Sequence, residues 1–328
     1  MEHGYWEQKG LTSALTDQGP YEFVVSGAGE DYIDLSNTHL FVEAQIVKND
    51  GTNLADDTDV GPVNLWMHSL FSDVSVSLNE KLVSPPTSVY PYRAYLETLL
   101  SYGPAAKDSQ LTGVMWYKDT PGQQEKRTND NKGFVSRKAL IAESKPVQMM
   151  GKLHLDLFCQ EKYLLNQVEL KIKLRRSRDV FALMGDADGY KIKIRDLSLF
   201  VRKVQLSPAI RMGHVKALEK TSCKYPIRRV EVKVDTVPTG NTNYVQDNMF
   251  LGHVPEKQVI ICVESDALNW NIAKNPFNFH HFKINFVALN EEGRQIPTKP
   301  LQSDLTQELL RAFYQYRKIV PRRGIYYF

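Results

Sequence analysis

Apolar and polar residues alternate one for one along much of this chain, the period of a strand with one face buried and the other wet. From residue 40 to 48, Leu40, Val42, Ala44 and Ile46 share a face, and Asn49-Asp50-Gly51 supplies a turn that tolerates positive φ. The run 73–78 sets Val74, Val76 and Leu78 against Asp73, Ser75 and Ser77, and Asn79-Glu80-Lys81 predicts a hairpin back into Leu82-Val83. The same period predicts strands over 152–158, 168–174 and 190–204, the last with a bulge or bend near Asp196. Three more are predicted over 229–234, 258–263 and 282–289, each bounded by Pro, Gly, Asn or Asp. Nine or more strands favour a sandwich or barrel over an α/β layout.

Helical spacing is confined to short stretches. Residues 92–102 carry Tyr92, Tyr95, Leu96, Leu99 and Leu100 on one stripe and stop at Gly103; 210–220 is a second such run; 305–318 places Leu309, Leu310, Phe313 and Tyr316 on the apolar side of a third. Residues 119–133 show no apolar period and are expected to form a mobile surface loop.

One internal echo bears on the architecture. Laying Leu78 on Leu289 aligns two runs that close in Leu-Asn-Glu, each preceded by aromatic and histidine residues: Trp66, His68 and Phe71 in one, Phe279, His280, His281 and Phe282 in the other. The match suggests two similar modules in tandem.

Composition narrows the function. The 328 residues are 42% apolar and 24% charged, as in ordinary packed domains, and the formal charge of +3 is too small for a protein that coats nucleic acid over its whole surface. Cys159, Cys223 and Cys262 are odd in number and widely spaced, which predicts reduced, buried thiols. No basic run followed by an apolar stretch opens the chain, and no window approaches eighteen apolar residues, so neither a secretory leader nor a membrane span is expected.

Candidate chemistry is thin. His280 and His281 are neighbours whose side chains leave a strand on opposite faces, so a shared metal would need a bend there, and core or surface roles fit better. Asp186-Ala187-Asp188-Gly189 opens like a calcium loop, but no carboxylate follows at the required positions, which leaves a turn. The chain holds no Gly-x-Ser-x-Gly elbow, no phosphate-cradling loop and no His-Glu-x-x-His helix, and Cys159 and Cys262 lie in or beside strand patterns rather than beside a base. We therefore expect no enzyme, and no catalytic, cofactor-binding or metal-ligating residue. Basic clusters at Arg175, Arg176 and Arg178, at Arg228 and Arg229, and at Arg317, Lys318, Arg322 and Arg323 are solvated strand ends or partner contacts; a second use would be phosphate contact with DNA.

Several phrases carry a resemblance: residues 63–71, VNLWMHSLF; 90–103, YPYRAYLETLLSYG; 154–158, HLDLF; 224–229, KYPIRR; 238–241, PTGN; and 275–279, NPFNF. Together, over about residues 34–302, they resemble the virus-like, transposon-derived capsid-type proteins of Maverick/Polinton and adintovirus-like elements. The resemblance implies an all-β fold of two tandem jelly-roll sandwiches, a double jelly roll with short helical insertions. The first module would span 1–206 and the second 207–328. After Leu301 the chain departs from the pattern, which implies a second module short of its last strands, with an open sheet edge. The implied function is that of a structural capsid subunit, major capsid protein-like, that self-assembles into a viral-type shell. Its partners would be copies of itself, as a trimer, and other capsid proteins; packaged DNA would touch an inner face; its place would be the virion, after the host nucleus or cytoplasm. Two alternatives stand beside it: a single jelly-roll minor or penton capsid protein, and a β-sandwich that binds glycans or receptors through Trp116, Tyr117 and Trp270 on loops.

Overall fold

A computed structural model describes residues 3–27, 29–56, 58–84, 86–247, 249–250, 255, 258–269, 271–291, 293–302 and 326–327. Eight strands build its sandwich: β1 (His3–Lys9), β2 (Tyr21–Val25), β3 (Tyr32–Lys48), β5 (Phe71–Leu78), β6 (Lys81–Ser84), β7 (Val147–Lys152), β8 (Leu170–Arg176) and β10 (Tyr190–Gln205). A short antiparallel pair, β4 (Val60–Pro62) and β9 (Leu183–Gly185), lies outside the two main sheets. One sheet has the order β1-β10-β3-β7 and the other β2-β8-β5-β6.

This order is a jelly roll. First strand pairs with last (β1 with β10), second with second-last (β2 with β8), third with third-last (β3 with β7), and the innermost two form the hairpin β5–β6, all antiparallel. The chain is thus one long hairpin wrapped so that successive rungs fall alternately in the two sheets, and the pairs β10–β3 and β5–β8 close each sheet. The fold is all-β, with short helices set between strands.

Alternation explains the packing. Leu40, Val42, Ala44 and Ile46 of β3, Phe23 and Val25 of β2, Val74 and Val76 of β5, and Leu170, Ile172 and Leu174 of β8 are all buried in one core shared by both sheets. In β10 the buried core positions run Ile192 and Ile194, then Leu197, Leu199 and Val201, and after a second slip between Phe200 and Arg202 the phase changes again to Val204. The phase change from even to odd falls where the register with β3 slips, between Ile194 and Asp196, so the expected bulge re-aims the downstream side chains into the core. The β5–β6 hairpin turns on Asn79 and Glu80, at φ of 45° and 66°, as two-residue turns between right-twisted strands require.

The helices follow the predicted stripes with shifted ends: α2 (Tyr90–Ser101) begins two residues early, with Pro91 in its first turn, and α6 covers Pro208–Leu218. Further short helices are α1 (Trp66–Ser69), α3 (Pro104–Lys107), α4 (Lys132–Leu140) and α5 (Asp179–Ala182).

Two predicted strands are corrected. Residues 152–158 leave the sheet after Lys152, and Asp156–Cys159 form a 3-10 turn in which Asp156, Leu157 and Phe158 are all buried. The alternation there is an imitation: Asp156 occupies a polar place because Arg93 pairs with it, and His154 because it is hydrogen-bonded to Glu97, not because they face water. Residues 229–234 have no strand partner among the described residues, and Val230 donates its N–H to the Asp156 carboxylate instead. The loop 119–133 is likewise pinned rather than mobile: Asn131, fully buried, accepts hydrogen bonds through Oδ1 from the backbone of Thr120 and Phe134. The thiols are not buried either, since Cys159 and Cys223 are exposed and Cys262 is half-buried.

The chain divides into two compact units, 1–235 with 269–277, and 236–268 with 278–328. In the second, β11 (Val259–Ile260) runs parallel to β14 (Tyr326–Tyr327), and β12 (Phe286–Glu291) forms a hairpin with β13 (Arg294–Gln302) through Gly293 at φ 82°. The predicted strand 258–263 shrinks to two residues, and 282–289 starts only at Phe286, because Phe282 and Lys283 sit at φ of 44° and 55°, where no strand can run. Both members of the sequence echo enter hairpins. The predicted helix 305–318 lies outside the described residues.

Candidate assembly surface

The first unit is organised around two buried polar networks that hold the long insertion between β6 and β7 against the sandwich. In the first, Arg137 of α4 is completely buried; it donates to the carbonyls of Pro62 (2.9 Å) and Tyr117 (2.6 Å) and pairs with the Asp119 carboxylate (2.8 Å). All three nitrogens of the fork are used, so the insertion is fixed in angle as well as position. Asn64 joins its two sides by accepting from the N–H groups of Leu65 and Tyr117. Gly133 has no room for a side chain: a Cβ there would strike the carbonyl oxygens of Lys118 and Tyr117.

The second network links α2 to the turn after β7. Arg93 bridges Glu97 (2.9 Å) and Asp156 (2.6 Å), and Glu97 also meets His154 Nδ1 at 2.7 Å. Behind them His68 is fully enclosed, 2.9 Å from the Tyr90 hydroxyl and edge-on to the His154 ring at 4.7 Å. Tyr90 accepts from the His154 N–H, so its own proton is available to His68 Nδ1. Burial, reinforced by His154, pushes the His68 pKa well down; burial likewise raises Glu97, but the hydrogen bond from His154 and the charge of Arg93 outweigh it and hold the carboxyl below its usual range.

Four of the six phrases that carry the resemblance, 63–71, 90–103, 154–158 and 275–279, supply residues to these networks or their neighbours, whereas Arg228 and Arg229 and the phrase 238–241 are exposed.

The unit also leaves apolar side chains uncovered. Tyr5 and Trp6 stand on β1, the outer strand of its sheet; Trp6 is 47% exposed and braced by His39 and the Arg202 guanidinium. Helix α6 buries no residue: Arg211 pairs with Glu30 and His214 meets the Tyr32 hydroxyl on one side, while Ile210, Met212, Val215 and Leu218 are 41–60% exposed. Aromatic and methionine side chains in such positions are the typical anchors of protein interfaces.

The residues singled out from sequence divide accordingly. Trp116 is 2% exposed, packed against Tyr95, so it is no surface platform for a glycan; Tyr117 is half-buried; Trp270 lies outside the described residues. Arg176 is committed to the fold, holding Asp179 and the carbonyls of Asp17 and Ile192, while Arg175, Arg178, Arg228 and Arg229 are exposed. Arg317, Lys318, Arg322 and Arg323 lie outside the described residues. Asp186 to Gly189 form the turn into β10. His281 accepts from the Lys283 N–H within its own turn, and among the described residues no cluster of three or more His, Cys, Asp or Glu could hold a metal ion. No described helix is long and apolar enough to cross a membrane. Sequence reasoning missed α6 and β1 as surfaces; the helical period of 210–220 was visible, but which face stays uncovered depends on partners in the fold.

No family model matches the chain. An uncharacterized protein of Caenorhabditis elegans is 24% identical over 327 residues, covering 96% of this chain and 76% of its own length. Among solved structures, the Faustovirus major capsid protein aligns over 66% of this chain and 57% of its own at 10% identity, TM-score 0.38. A chain of the Sputnik virophage aligns over 63% and 48% at 14% identity, TM-score 0.43, and the mavirus major capsid protein over 62% and 47% at 14%, TM-score 0.34. The chain spans about half the length of these solved chains.

Proposed function

We propose that this chain is a structural, capsid-type subunit, major capsid protein-like, whose work is to pack against copies of itself into a viral-type shell. The observation that carries the reading is the association of a complete eight-strand jelly roll with uncovered interface-type residues, Trp6 on its outer strand and Ile210, Met212, Val215 and Leu218 on α6. A jelly roll alone does not fix a function. It does present rigid walls with loops at both ends, and the apolar side chains it leaves in water gain free energy when another subunit covers them, at about 25 cal/mol per Å². The resemblance to Maverick/Polinton and adintovirus-like capsid proteins points the same way.

In the fuller form of the proposal, the second unit is a further jelly-roll module, three chains with two modules each make a pseudo-hexagonal capsomer, and exposed Arg175, Arg228 and Arg229 face packaged DNA in the virion. A second reading is favoured by one observation: the described residues contain a single complete eight-strand roll, which fits a minor or penton-type capsid protein.

Light scattering after size exclusion, followed by negative-stain imaging, tests both. Trimers or shells support the major-capsid form and five-fold rings the second reading, whereas a chain that stays monomeric at high concentration removes the capsid reading altogether.

A further inference from the structure

Residues 229–235 have the composition of a strand, with Val230, Val232 and Val234 at alternate positions, and none of them lies at positive φ. They have no strand partner among the described residues. The chain leading into them is fastened to the first unit: Tyr225 and Ile227 pack against its core, the Leu165 N–H donates to the Tyr225 hydroxyl, and the Val230 N–H donates to Asp156 (3.2 Å). Beyond that anchor the side chains face water. Val232 is half-buried, Val230 is 38% and Val234 52% exposed, and Arg229, Glu231, Lys233 and Asp235 are all exposed.

This segment is complementary to itself when read backwards. An antiparallel second copy related by a two-fold at Val232 sets Val232 opposite Val232, Val230 opposite Val234, Glu231 opposite Lys233 and Arg229 opposite Asp235. Pro226 falls opposite Pro238, and the missing N–H of each closes the matched stretch at both ends. No neighbouring register does as well. Centred on Glu231, the pairing sets Glu231 against Glu231 and Arg229 against Lys233; centred on Lys233, it sets Lys233 against Lys233 and Glu231 against Asp235; the registers between these set charges against valines. The one anchored N–H agrees with the Val232 register. Along an extended strand alternate residues turn their N–H and C=O to the same edge, so Val230, bonded to Asp156, turns inward together with Val232 and Val234, and Glu231 turns outward. A two-fold at Val232 requires that arrangement, because it makes Val232 a non-hydrogen-bonded pair and joins Glu231 to Lys233 through the ladder.

We propose that residues 229–235 pair with the same residues of a second copy as an antiparallel two-stranded ribbon about Val232, a two-fold contact between subunits with valines on one face and ion pairs on the other. A ribbon of two strands is marginal by itself in water, but here each strand is already held at Tyr225, Ile227 and Val230, which lowers the cost of ordering it. Lys233 and Asp235 also interact within their own chain, and the register draws on their exposed charges, not on a missing partner. The contact is separate from the surfaces at Trp6 and α6 and does not depend on the capsid reading. It takes Arg229 from the residues assigned to packaged DNA and leaves Arg175 and Arg228 to that role.

The test uses the full chain with Cys159, Cys223 and Cys262 changed to Ser. Adding Val232→Cys should give, on oxidation, a disulfide dimer that reductant returns to monomer, since facing Cα atoms of a non-hydrogen-bonded pair stand about 4.5 Å apart. Val234→Cys in the same background, although more exposed, should link about ten-fold more slowly, because its two copies lie roughly 13 Å apart along the ribbon. Equal or faster linking through Val234→Cys overturns the proposal. Without any cross-link, Glu231→Lys and Lys233→Glu should each weaken self-association about ten-fold by light scattering, and an equimolar mixture of the two should restore it, because every charge then faces its opposite. A mixture that associates no better than either variant alone overturns the pairing. Trimers or shells formed without the Val232→Cys link overturn this contact and leave the capsid reading standing, whereas a linked dimer that forms no larger assembly supports the contact and overturns the capsid reading.

Discussion

Tyr95 and Phe277 lie face to face, their ring centroids 4.2 Å apart and their planes within 3° of parallel. One ring comes from α2, in the insertion that follows β6, the other from the end of the segment Asn269–Phe277, so this stack joins parts of the chain that meet only in the finished fold. Replacing Phe277 with Ala empties an aromatic pocket and should cost about 3–5 kcal/mol of unfolding free energy. Urea titration of the variant checks it; a loss under about 1 kcal/mol would show the pocket closing over the gap.

Arg137→Met should be as damaging, for another reason. The substitution roughly keeps the volume but removes the cationic partner of the buried Asp119 carboxylate, and removing one member of a buried pair costs about 3–5 kcal/mol. Arg137→Lys should recover only part of this, since one ammonium cannot serve the Pro62 carbonyl, the Tyr117 carbonyl and the carboxylate in the directions the fork uses. Equal stability of the Lys variant and the parent would refute the role given to the fork.

Acid should loosen the protein in two stages. His68 is kept neutral in the folded state by burial, whereas in the unfolded chain it takes up a proton near its ordinary value of 6.5. The unfolded state thus binds more protons as pH drops, and stability declines from about pH 6.5 downward. Glu97 adds to the decline below its ordinary value of 4.5, because its folded carboxyl stays charged to lower pH. Unfolding midpoints measured between about pH 7.5 and 5 should fall more steeply for the parent than for His68→Gln, in which His39, also lowered by burial, still contributes a smaller decline; parallel slopes would contradict this assignment.

Thiol labelling offers a quick check on the surface. Cys223 is exposed, Cys159 is exposed but has its thiol pKa raised by burial around the sulfur and by Glu97, and Cys262 is half-buried with its pKa raised by burial alone. With a maleimide under native conditions, Cys223 should react first and Cys262 last, as read by mass spectrometry of the digested protein. Fast modification of Cys262 would mean that its surroundings are open.

How much of this was legible in the sequence depends on what each residue answers to. Strands β3, β5, β8 and β10 were readable because they cross the core, where alternate side chains face apolar neighbours and a phase slip such as that at Arg195 leaves its own trace in the pattern. The polar residues of 152–158 satisfied the same pattern for a different cause, polar contacts with α2, and periodicity cannot tell a carboxylate in water from one held by Arg93. Residues 229–234 show the converse: alternation invites a sheet but does not supply a neighbouring strand. The candidate surfaces were the least legible, since the exposure of Trp6 and of α6 depends on what the rest of the fold leaves beside them, and Trp116, the aromatic that looked most like a loop platform, is covered by Tyr95.

Pairing strands far apart in the chain also sets a clock on synthesis. Strand β3 is complete at Lys48, but its partner β10 begins only at Tyr190, so about 140 residues must leave the ribosome before that edge is filled. At translation rates of 5–20 residues per second the wait is roughly 7–30 s, during which the long apolar-faced edge of β3 stands open to any other nascent chain. On a polysome crowded with copies of itself, the hazard for this protein is therefore greatest before the roll closes, and a chaperone that shelters the first 190 residues should raise its soluble yield more than one that acts on the finished chain.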